Sequence, residues 1–319
     1  MDSKLFFTCI TMVNIKLTIM KKTVLIILAT LFSFTLFAQN NMFVVYSMKG
    51  NVSVVDNKTE SKAKIGTILN DESVLKVPSG SFATLICNES RMFTLNKAGN
   101  YAMNKLNDSC QRNGSSVSAN YVKYIWNELT KSKGSPEKNR KAYMSNVGAV
   151  SRSINNIWID PRLDTVNYVS GTIPLSWKSY SEAEKFVFKL YDKEEGVKDI
   201  YSKSTEKKHV ELSDLLKIIQ PGKSYWWTAM IKGENNDELK YLKYWTKNEF
   251  NNFFNKVSKN ETGISETEAE KNFRIGFTME EAHFLAEAYQ HYLKSTQLDP
   301  GNPLYRYVFM SFKKDYEIK

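Results

Sequence analysis

Histidine and cysteine, which supply most transition-metal ligands and many catalytic nucleophiles, are scarce in this sequence. The 319 residues include three of each. His209 falls in a predicted strand with no cysteine or carboxylate cluster nearby, so no Ser-His-Asp group can be assembled. We therefore expect no catalytic residues and a protein that is not an enzyme.

One spacing leaves a metal site open as an alternative. His283, Glu287 and His291 follow one another at i, i+4 steps, which places them on one side of a helix and can hold a metal. Histidine and glutamate are also ordinary residues on the polar side of an amphipathic helix, and no further strong ligand can be named. We therefore expect no bound metal.

Glycine patterns that bind phosphate are missing as well. The sequence contains neither G-x-G-x-x-G nor G-x-x-x-x-G-K-[ST], which argues against nucleotide enzymes and against a cofactor bound through such a loop. The aromatic runs at 224–230 and 240–245 can stack on sugar rings, so a glycan is a candidate partner. Core packing is the stronger explanation for most of these rings.

The formal net charge of +10 is unevenly distributed. Between Ala119 and Arg152, seven basic residues face only Glu128 and Glu137. Such a local bias is typical of a solvated linker, with contact to anionic lipid or polysaccharide as the alternative. We expect no nucleic acid among the partners.

The longest apolar run lies near the N-terminus and is shorter than the roughly 20 residues that span a bilayer. After Met20 come two lysines, an apolar run of about 15 residues and the small residue Ala38, which is the order of a secretory signal. We expect Met20 to be the true start, residues 1–38 to be removed and no membrane span to remain. An uncleaved anchor is the alternative.

The signal is similar in style to those of Bacteroidota, which implies the periplasm or the cell surface. Such compartments permit disulfides. Cys87 and Cys110 are the two cysteines that follow the signal. A bridge between them and two separately buried thiols are both open.

Residues 39–110 are expected to form an all-β domain, because short alternating runs are separated by Gly50, Gly66, Gly80 and Gly99. Ala83, Leu85 and Cys87 are predicted to share one face of a strand, with Thr84 and Ile86 on the other.

This segment resembles the FecR-like domain. The resemblance rests on the following residues: Gly50-x-Val52-x-Val54, Ile65-Gly66, Ile68, Leu75-x-Val77, Gly80-Ser81-x-Ala83-x-Leu85, Leu95 and Gly99-x-Tyr101. It implies a binding or assembly module of the bacterial envelope. Family members that regulate sigma factors carry a membrane helix before this domain, whereas a cleavable signal stands here.

Residues 111–155 are predicted to be a helical, basic connector. Its helical stripe consists of Val122, Ile125, Trp126 and Leu129. Gly134, Ser135 and Pro136 then interrupt the pattern.

Residues 156–247 form a second predicted β-unit. The alternation of this unit resembles immunoglobulin-like and fibronectin type III sandwiches, in which Trp177 and Tyr225 would be the buried hallmark residues. Tyr225, Trp227 and Ala229 are expected to share a buried face, with Trp226 on the opposite face.

Residues 248–319 are predicted to be helical. Ala288, Tyr292, Ser295 and Pro300 keep the spacing of the second helix of a tetratricopeptide repeat, and Ile275-Gly276 matches the first helix. A single hairpin cannot bury its apolar face alone. We expect that face to pack on the aromatic segment 244–254 of the same chain. The candidate residues for docking a partner are Phe284, Tyr292, Tyr305 and Phe312.

The predicted fold class is therefore mainly β with α: an N-terminal all-β FecR-like domain, a helical connector, an Ig-like β-sandwich and a C-terminal α-helical hairpin. The expected function is that of a non-enzymatic envelope protein that binds a protein partner or supports assembly. The alternative is a periplasmic sensor that relays an envelope signal to a membrane regulator of a sigma factor.

Overall fold

The structure, a computed structural model, describes residues 42–89, 91–111, 119–130, 156–180, 182, 185–259 and 266–318. They form β-sheets followed by C-terminal helices, so the predicted mixture of β and α structure is confirmed. The predicted signal at 1–38 and the lysine-rich part of the connector after Thr130 lie outside these ranges. Within them, no helix combines the length and the hydropathy needed to cross a membrane.

The first β-unit consists of two four-stranded antiparallel sheets with the orders β4-β1-β6-β7 and β3-β2-β5-β8. Its strands are β1 (Phe43–Lys49), β2 (Ser53–Asp56), β3 (Thr59–Lys62), β4 (Ile68–Leu69), β5 (Val74–Val77), β6 (Phe82–Cys87), β7 (Arg91–Leu95) and β8 (Gly99–Ala102).

Both faces of the central strands β1 and β6 are buried. Phe43 and Val45 point into the core of the first β-unit, while Val44 and Tyr46 belong to a second core outside it. In β6 the predicted alternation is confirmed, because Leu85 and Cys87 face the inner core and Ile86 faces the outer one. The outer face of this sheet must therefore be covered by another part of the chain.

The second β-unit contains a five-stranded sheet with the order β10-β17-β16-β13-β14 and two short pairs, β11-β15 and β9-β12. Its strands are β9 (Ile157–Trp158), β10 (Thr165–Tyr168), β11 (Pro174–Ser176), β12 (Lys178–Ser179), β13 (Phe186–Tyr191), β14 (Asp199–Thr205), β15 (His209–Glu211), β16 (Ser224–Ile231) and β17 (Lys240–Tyr244). Strand β10 pairs with β17 in parallel, whereas the other pairs are antiparallel.

Aromatic side chains fill the interior of this unit. The ring of Phe188 stacks between those of Trp177 and Trp227, with centroid distances of 6.4 and 5.8 Å. Tyr225 is also buried, and its hydroxyl accepts a hydrogen bond of 2.8 Å from the backbone N–H of Gln220. The predicted burial of Trp177, Tyr225, Trp227 and Ala229 is confirmed.

The described helices are α1 (Asn107–Gln111), α2 (Ala119–Thr130), α3 (Leu212–Leu215), α4 (Lys247–Ser258), α5 (Glu268–Glu281), α6 (Leu285–Leu298) and α7 (Pro303–Asp315). Capping boxes start α4 at Thr246 and α5 at Thr267, because each threonine and the glutamate three residues later satisfy one another's backbone N–H groups. Asn302 caps α7, which begins with Pro303.

Helices α5 and α6 approach each other closely at Gly276. A Cβ atom built on this glycine would lie 2.9 Å from Cδ1 of the Tyr292 ring, which is too close for a side chain. The glycine predicted from the repeat spacing therefore has a packing role, since its missing side chain makes room for the tyrosine.

Helix α2 is part of the core and is not a solvated linker. Val122, Ile125 and Trp126 of the predicted stripe are buried, and so are Tyr121 and Tyr124, which the stripe did not include. Tyr124 stacks on Phe277 of α5 with a centroid distance of 4.9 Å. The helix contacts β1, β7 and α5 and so joins the first β-unit to the C-terminal helices.

A single hydrophobic core extends from the outer face of β1 through α2 and helices α5–α7 into the second β-unit. The described residues between 42 and 318 accordingly form one compact unit. The core does not divide at the predicted segment boundaries, because the helices supply apolar side chains to both β-units.

Candidate functional site

The four residues predicted to dock a partner lie inside the protein, so that prediction is wrong for an external partner. Phe284, Tyr292, Tyr305 and Phe312 are each at most 1% exposed. The amphipathic pattern that singled them out does mark a buried face, but the structure covers that face with other parts of the same chain.

The aromatic segment before and within α4 covers Phe284, as expected. The Phe284 ring lies 5.1 Å from Trp245, 5.2 Å from Phe250 and 5.1 Å from Phe253, measured between centroids. Docking of the hairpin within its own chain is therefore confirmed at this point.

Tyr305 has a different and unpredicted partner. Its hydroxyl lies 3.2 Å from that of Tyr46 on β1, and the Tyr46 hydroxyl lies 2.7 Å from that of Tyr121 on α2. Burial raises the pKa values of all three phenols above the ordinary range, so they stay protonated. This cluster is a structural contact between the first β-unit and the helices.

Cys87 and Cys110 form a disulfide in the structure, with a Cα–Cα distance of 5.9 Å. The bond ties the end of β6 to α1. Cys87 is fully buried, whereas Cys110 is partly buried.

The three residues of the alternative metal site are held by separate partners. His283, which has a φ of 59°, hydrogen-bonds to the backbone of Arg162. The Nδ1 atom of His291 lies 2.9 Å from Oδ1 of Asn272, and Glu287 accepts from Ser170. In the part of the chain that the structure describes, no group of three histidine, cysteine or acidic residues is placed to hold a metal ion.

The strongest candidate for a ligand site is a cavity of about 310 Å³, here called the Glu287 cleft. It lies between helix α4, the turn that follows β10, and the first half of α6. The lining residues are Ser170, Gly171, Phe250, Asn251, Phe254, Ala286, Glu287, Gln290 and His291.

The local sequences explain how these three elements meet. The capping box at Thr246 fixes where α4 begins and so directs Phe250 and Phe254 toward α6. Gly171 has a φ of 86°, and a Cβ atom there would lie 3.2 Å from Cβ of Ala286. A glycine facing an alanine lets the turn come close to the helix and places Ser170 beside Glu287.

Glu287 is the most perturbed group in the cleft. Its Oε1 atom accepts hydrogen bonds of 3.3 Å from both the backbone N–H and the hydroxyl of Ser170. Its Oε2 atom is shielded from solvent and has no hydrogen-bond partner among the described residues. Burial raises the pKa of Glu287 to about 7, so the carboxyl group titrates near neutral pH.

His291, one turn further along α6, supplies a neutral ring to the cleft. Burial lowers its pKa below the usual value. The ring stacks on Phe254 with a centroid distance of 5.8 Å. With Nδ1 donating to Oδ1 of Asn272, the Nε2 atom of the neutral ring is an acceptor.

A second cavity, of about 510 Å³, adjoins the Glu287 cleft and shares Gly171 and Gln290 with it. It is lined in addition by Thr172, Pro174, His209, Glu211, Tyr289, Glu317 and Ile318. The two cavities together present three glutamates and neither lysine nor arginine among their described lining residues. In a chain with a formal charge of +10, this groove is locally acidic.

Comparison with known proteins gives no family assignment. No protein-family model matches the chain, and no curated protein matches it.

The sequence placed Glu287 and His291 on one helix face but did not reveal the opposite wall. Ser170 and Asn251 come from segments far away along the chain, and neither belongs to a motif. The local signal was the Ser170-Gly171 turn, which becomes informative only once Gly171 is seen against Ala286.

Proposed function

We propose that this protein is a non-enzymatic binding or assembly module of the bacterial envelope. In this proposal a FecR-like domain and an Ig-like sandwich are held in a fixed arrangement by tetratricopeptide-like helices. The secretory order of the N-terminal sequence supports the envelope location. A disulfide at Cys87–Cys110 is in keeping with an oxidising compartment.

The geometry of the second β-unit supports its Ig-like or fibronectin type III-like identity. Its five-stranded sheet and the short β11-β15 pair both contribute side chains to one core that contains Trp177. The hydrogen bond from the Gln220 N–H to the Tyr225 hydroxyl resembles the tyrosine corner of such sandwiches, in which a tyrosine near the start of a late strand bonds to backbone a few residues upstream.

The first β-unit and the helices support the other two resemblances. Two small antiparallel sheets pack around Val54, Leu75 and Leu85, which are residues of the FecR-like pattern. The contact of Gly276 with Tyr292 matches the close helix packing that the repeat spacing implies.

One observation carries the proposal. The hydrophobic core runs without a break through the helices and both β-units, and the groove formed by the Glu287 cleft and the adjoining cavity is accessible beside it. Helices α2 and α5–α7 pack against both β-units in one core, so the two β-units and the helices are held rigidly together. The Glu287 cleft and the adjoining cavity stay open on this rigid support. Preformed pockets of this size, with apolar walls and a few polar groups, are typical of ligand sites.

Photocrosslinking in the native envelope tests this function. A photoreactive residue is placed at Asn251, which lines the cleft, or at Val197, which is 90% exposed and lies outside it. We expect a discrete envelope adduct from position 251 that is absent from position 197. No adduct at position 251, or the same adducts at both positions, would contradict a binding role for the groove.

A turnover assay addresses the non-enzymatic part of the proposal. The purified protein is incubated with cell-wall and envelope polysaccharides, and released products are measured. We expect no turnover above the background without protein. Turnover that disappears in Glu287→Gln would show instead that the perturbed carboxyl group is a catalytic acid or base.

A further inference from the structure

We infer that the Glu287 cleft binds the side chain of a lysine from a protein partner, with its ammonium group paired to Glu287. This inference rests on the proposed binding function and gives the partner a specific chemistry.

The charge of the groove favours a cation. Glu287, Glu211 and Glu317 line the two adjoining cavities, and the lining residues include neither lysine nor arginine. Two histidines, His291 and His209, line the cavities, and burial lowers the pKa of His291, which favours its neutral form. A cation entering the groove therefore meets carboxylates without like-charge repulsion from the walls.

The hydrogen bonding of Glu287 favours an ammonium group over a guanidinium. Oε1 already accepts two hydrogen bonds from Ser170, so one oxygen, Oε2, is left for a ligand. A ligand at Oε2 requires a rotation about the last side-chain bond of glutamate, which is soft and moves both oxygens together. An ammonium can use one oxygen, whereas arginine gains most from two free oxygens in parallel.

The walls favour a lysine stem. Phe250, Phe254 and Ala286 provide an apolar side on which methylene groups can pack. The side-chain oxygens of Asn251 and Gln290 and the Nε2 atom of His291 also line the cleft and are acceptors available for the other ammonium hydrogens. An amino sugar fits less well, because its amine sits directly on a ring whose hydroxyls would face phenylalanine.

The test uses blocked amino acids and the full chain. The probe is Nα-acetyl-lysine-N-methylamide, and binding is measured by calorimetry at pH 8. The matched probes are the norleucine analogue, which keeps the stem without the charge, the arginine analogue and free glucosamine. We expect the lysine probe to bind with a Kd on the order of millimolar, since a single residue buries little area.

Two variants locate the interaction. Glu287→Gln keeps the acceptor for Ser170 but loses the charge, and we expect roughly tenfold weaker binding or more. Glu194→Gln, in an exposed turn outside both cavities, is the matched control and should bind as the natural chain does. Norleucine binding equal to lysine, tighter binding of arginine or glucosamine, or an equal effect of the two variants would each overturn the inference.

A second measurement keeps the test independent of variant folding. The carboxyl carbon of Glu287 is titrated by NMR with and without the lysine probe, and we expect the probe to lower its midpoint because it stabilises the ionised form. An unchanged midpoint at saturating probe overturns the inference. If lysine fails but Asn251 still crosslinks an envelope component, the binding function survives. If the lysine probe binds but position 251 gives no adduct, the proposed binding function is contradicted and the lysine site is still supported.

Discussion

The hydroxyl oxygens of Tyr46 and Tyr121 lie 2.7 Å apart in the interior of the protein, where strand β1 meets helix α2. The hydroxyl of Tyr305 on α7, which is 259 positions after Tyr46 in the chain, lies 3.2 Å from the Tyr46 hydroxyl. The three hydroxyls thus connect the beginning, the middle and the end of the sequence. Their burial makes this polar contact sensitive to the loss of any member.

Replacing Tyr46 by phenylalanine should destabilise the protein by about 1 to 2 kcal/mol, because a buried hydroxyl that bonds to two others is removed without changing the ring. Urea unfolding measures the change. The control is Tyr180→Phe, at a residue that is 74% exposed and should unfold as the natural chain does. Equal stability of all three proteins would show that the cluster contributes nothing.

A shortened chain ending at Lys259 should lose its cooperative unfolding or aggregate. Removing α5–α7 uncovers Val44, Tyr46 and Ile86 on the first β-unit, together with the aromatic rings that surround Phe284. Size-exclusion chromatography and thermal unfolding report the outcome. A monomeric shortened chain with an unchanged melting curve would mean that the helices do not hold the β-units.

Reduction of the Cys87–Cys110 bond should lower the free energy of unfolding by about 3 kcal/mol, as chain-entropy estimates give for a loop of this length. The two cysteines are 23 positions apart. Unfolding is compared with and without reductant. The double variant Cys87→Ala/Cys110→Ala is the control and should not respond to reductant, and an equal response of both proteins would rule out a stabilising bridge.

The carboxyl group of Glu287 should make stability depend on pH. Its pKa in the folded protein is raised by burial to about 7, whereas an unfolded glutamate titrates near ~4.3. The folded state therefore keeps a proton that the unfolded state loses. Its stabilising effect is fully present below about pH 4.3 and is lost as the pH rises through about 7.

Glu287→Gln should consequently be more stable than the natural chain at pH 8, by about 3 to 4 kcal/mol at most, and similar to it at pH 4. Nearby titratable groups do not mask the effect. Burial raises the pKa of Tyr168 and lowers that of His291, and the lining residues of α4 and of the Ser170 turn do not titrate. Glu194→Gln, in an exposed turn, is the control. A variant that is less stable at pH 8 would contradict this account of Glu287.

Local pattern predicted much of the fold. The alternation of β6, the buried face of Tyr225 and Trp227, and the turn between α6 and α7 all follow from periodicity and turn residues, which act over a few positions. An amphipathic pattern, however, predicts only that the apolar face of the helix will be covered. Whether the cover is the same chain or another protein is a tertiary property, which is why Tyr292 and Phe312 were assigned to a partner.

The candidate site was less predictable for a related reason. Its helix wall was visible as the i, i+4 spacing of Glu287 and His291, but the same spacing suits a metal site or a solvated surface. The raised pKa of Glu287 arises from burial between α4 and the Ser170 turn, and no local pattern encodes that contact. Tyr121 and Tyr124 were missed because tyrosine suits both a buried and an exposed helix face.

The most direct test asks whether crosslinking of a partner in the Glu287 cleft depends on the carboxylate of Glu287. Photocrosslinking from position 251 in the native envelope is repeated in a chain that also carries Glu287→Gln, with Glu194→Gln, outside both cavities, as the matched control. We expect a protein adduct that is lost with Glu287→Gln and retained with Glu194→Gln. An adduct of equal yield in all three chains would contradict the claim that this protein binds its partner through the Glu287 cleft.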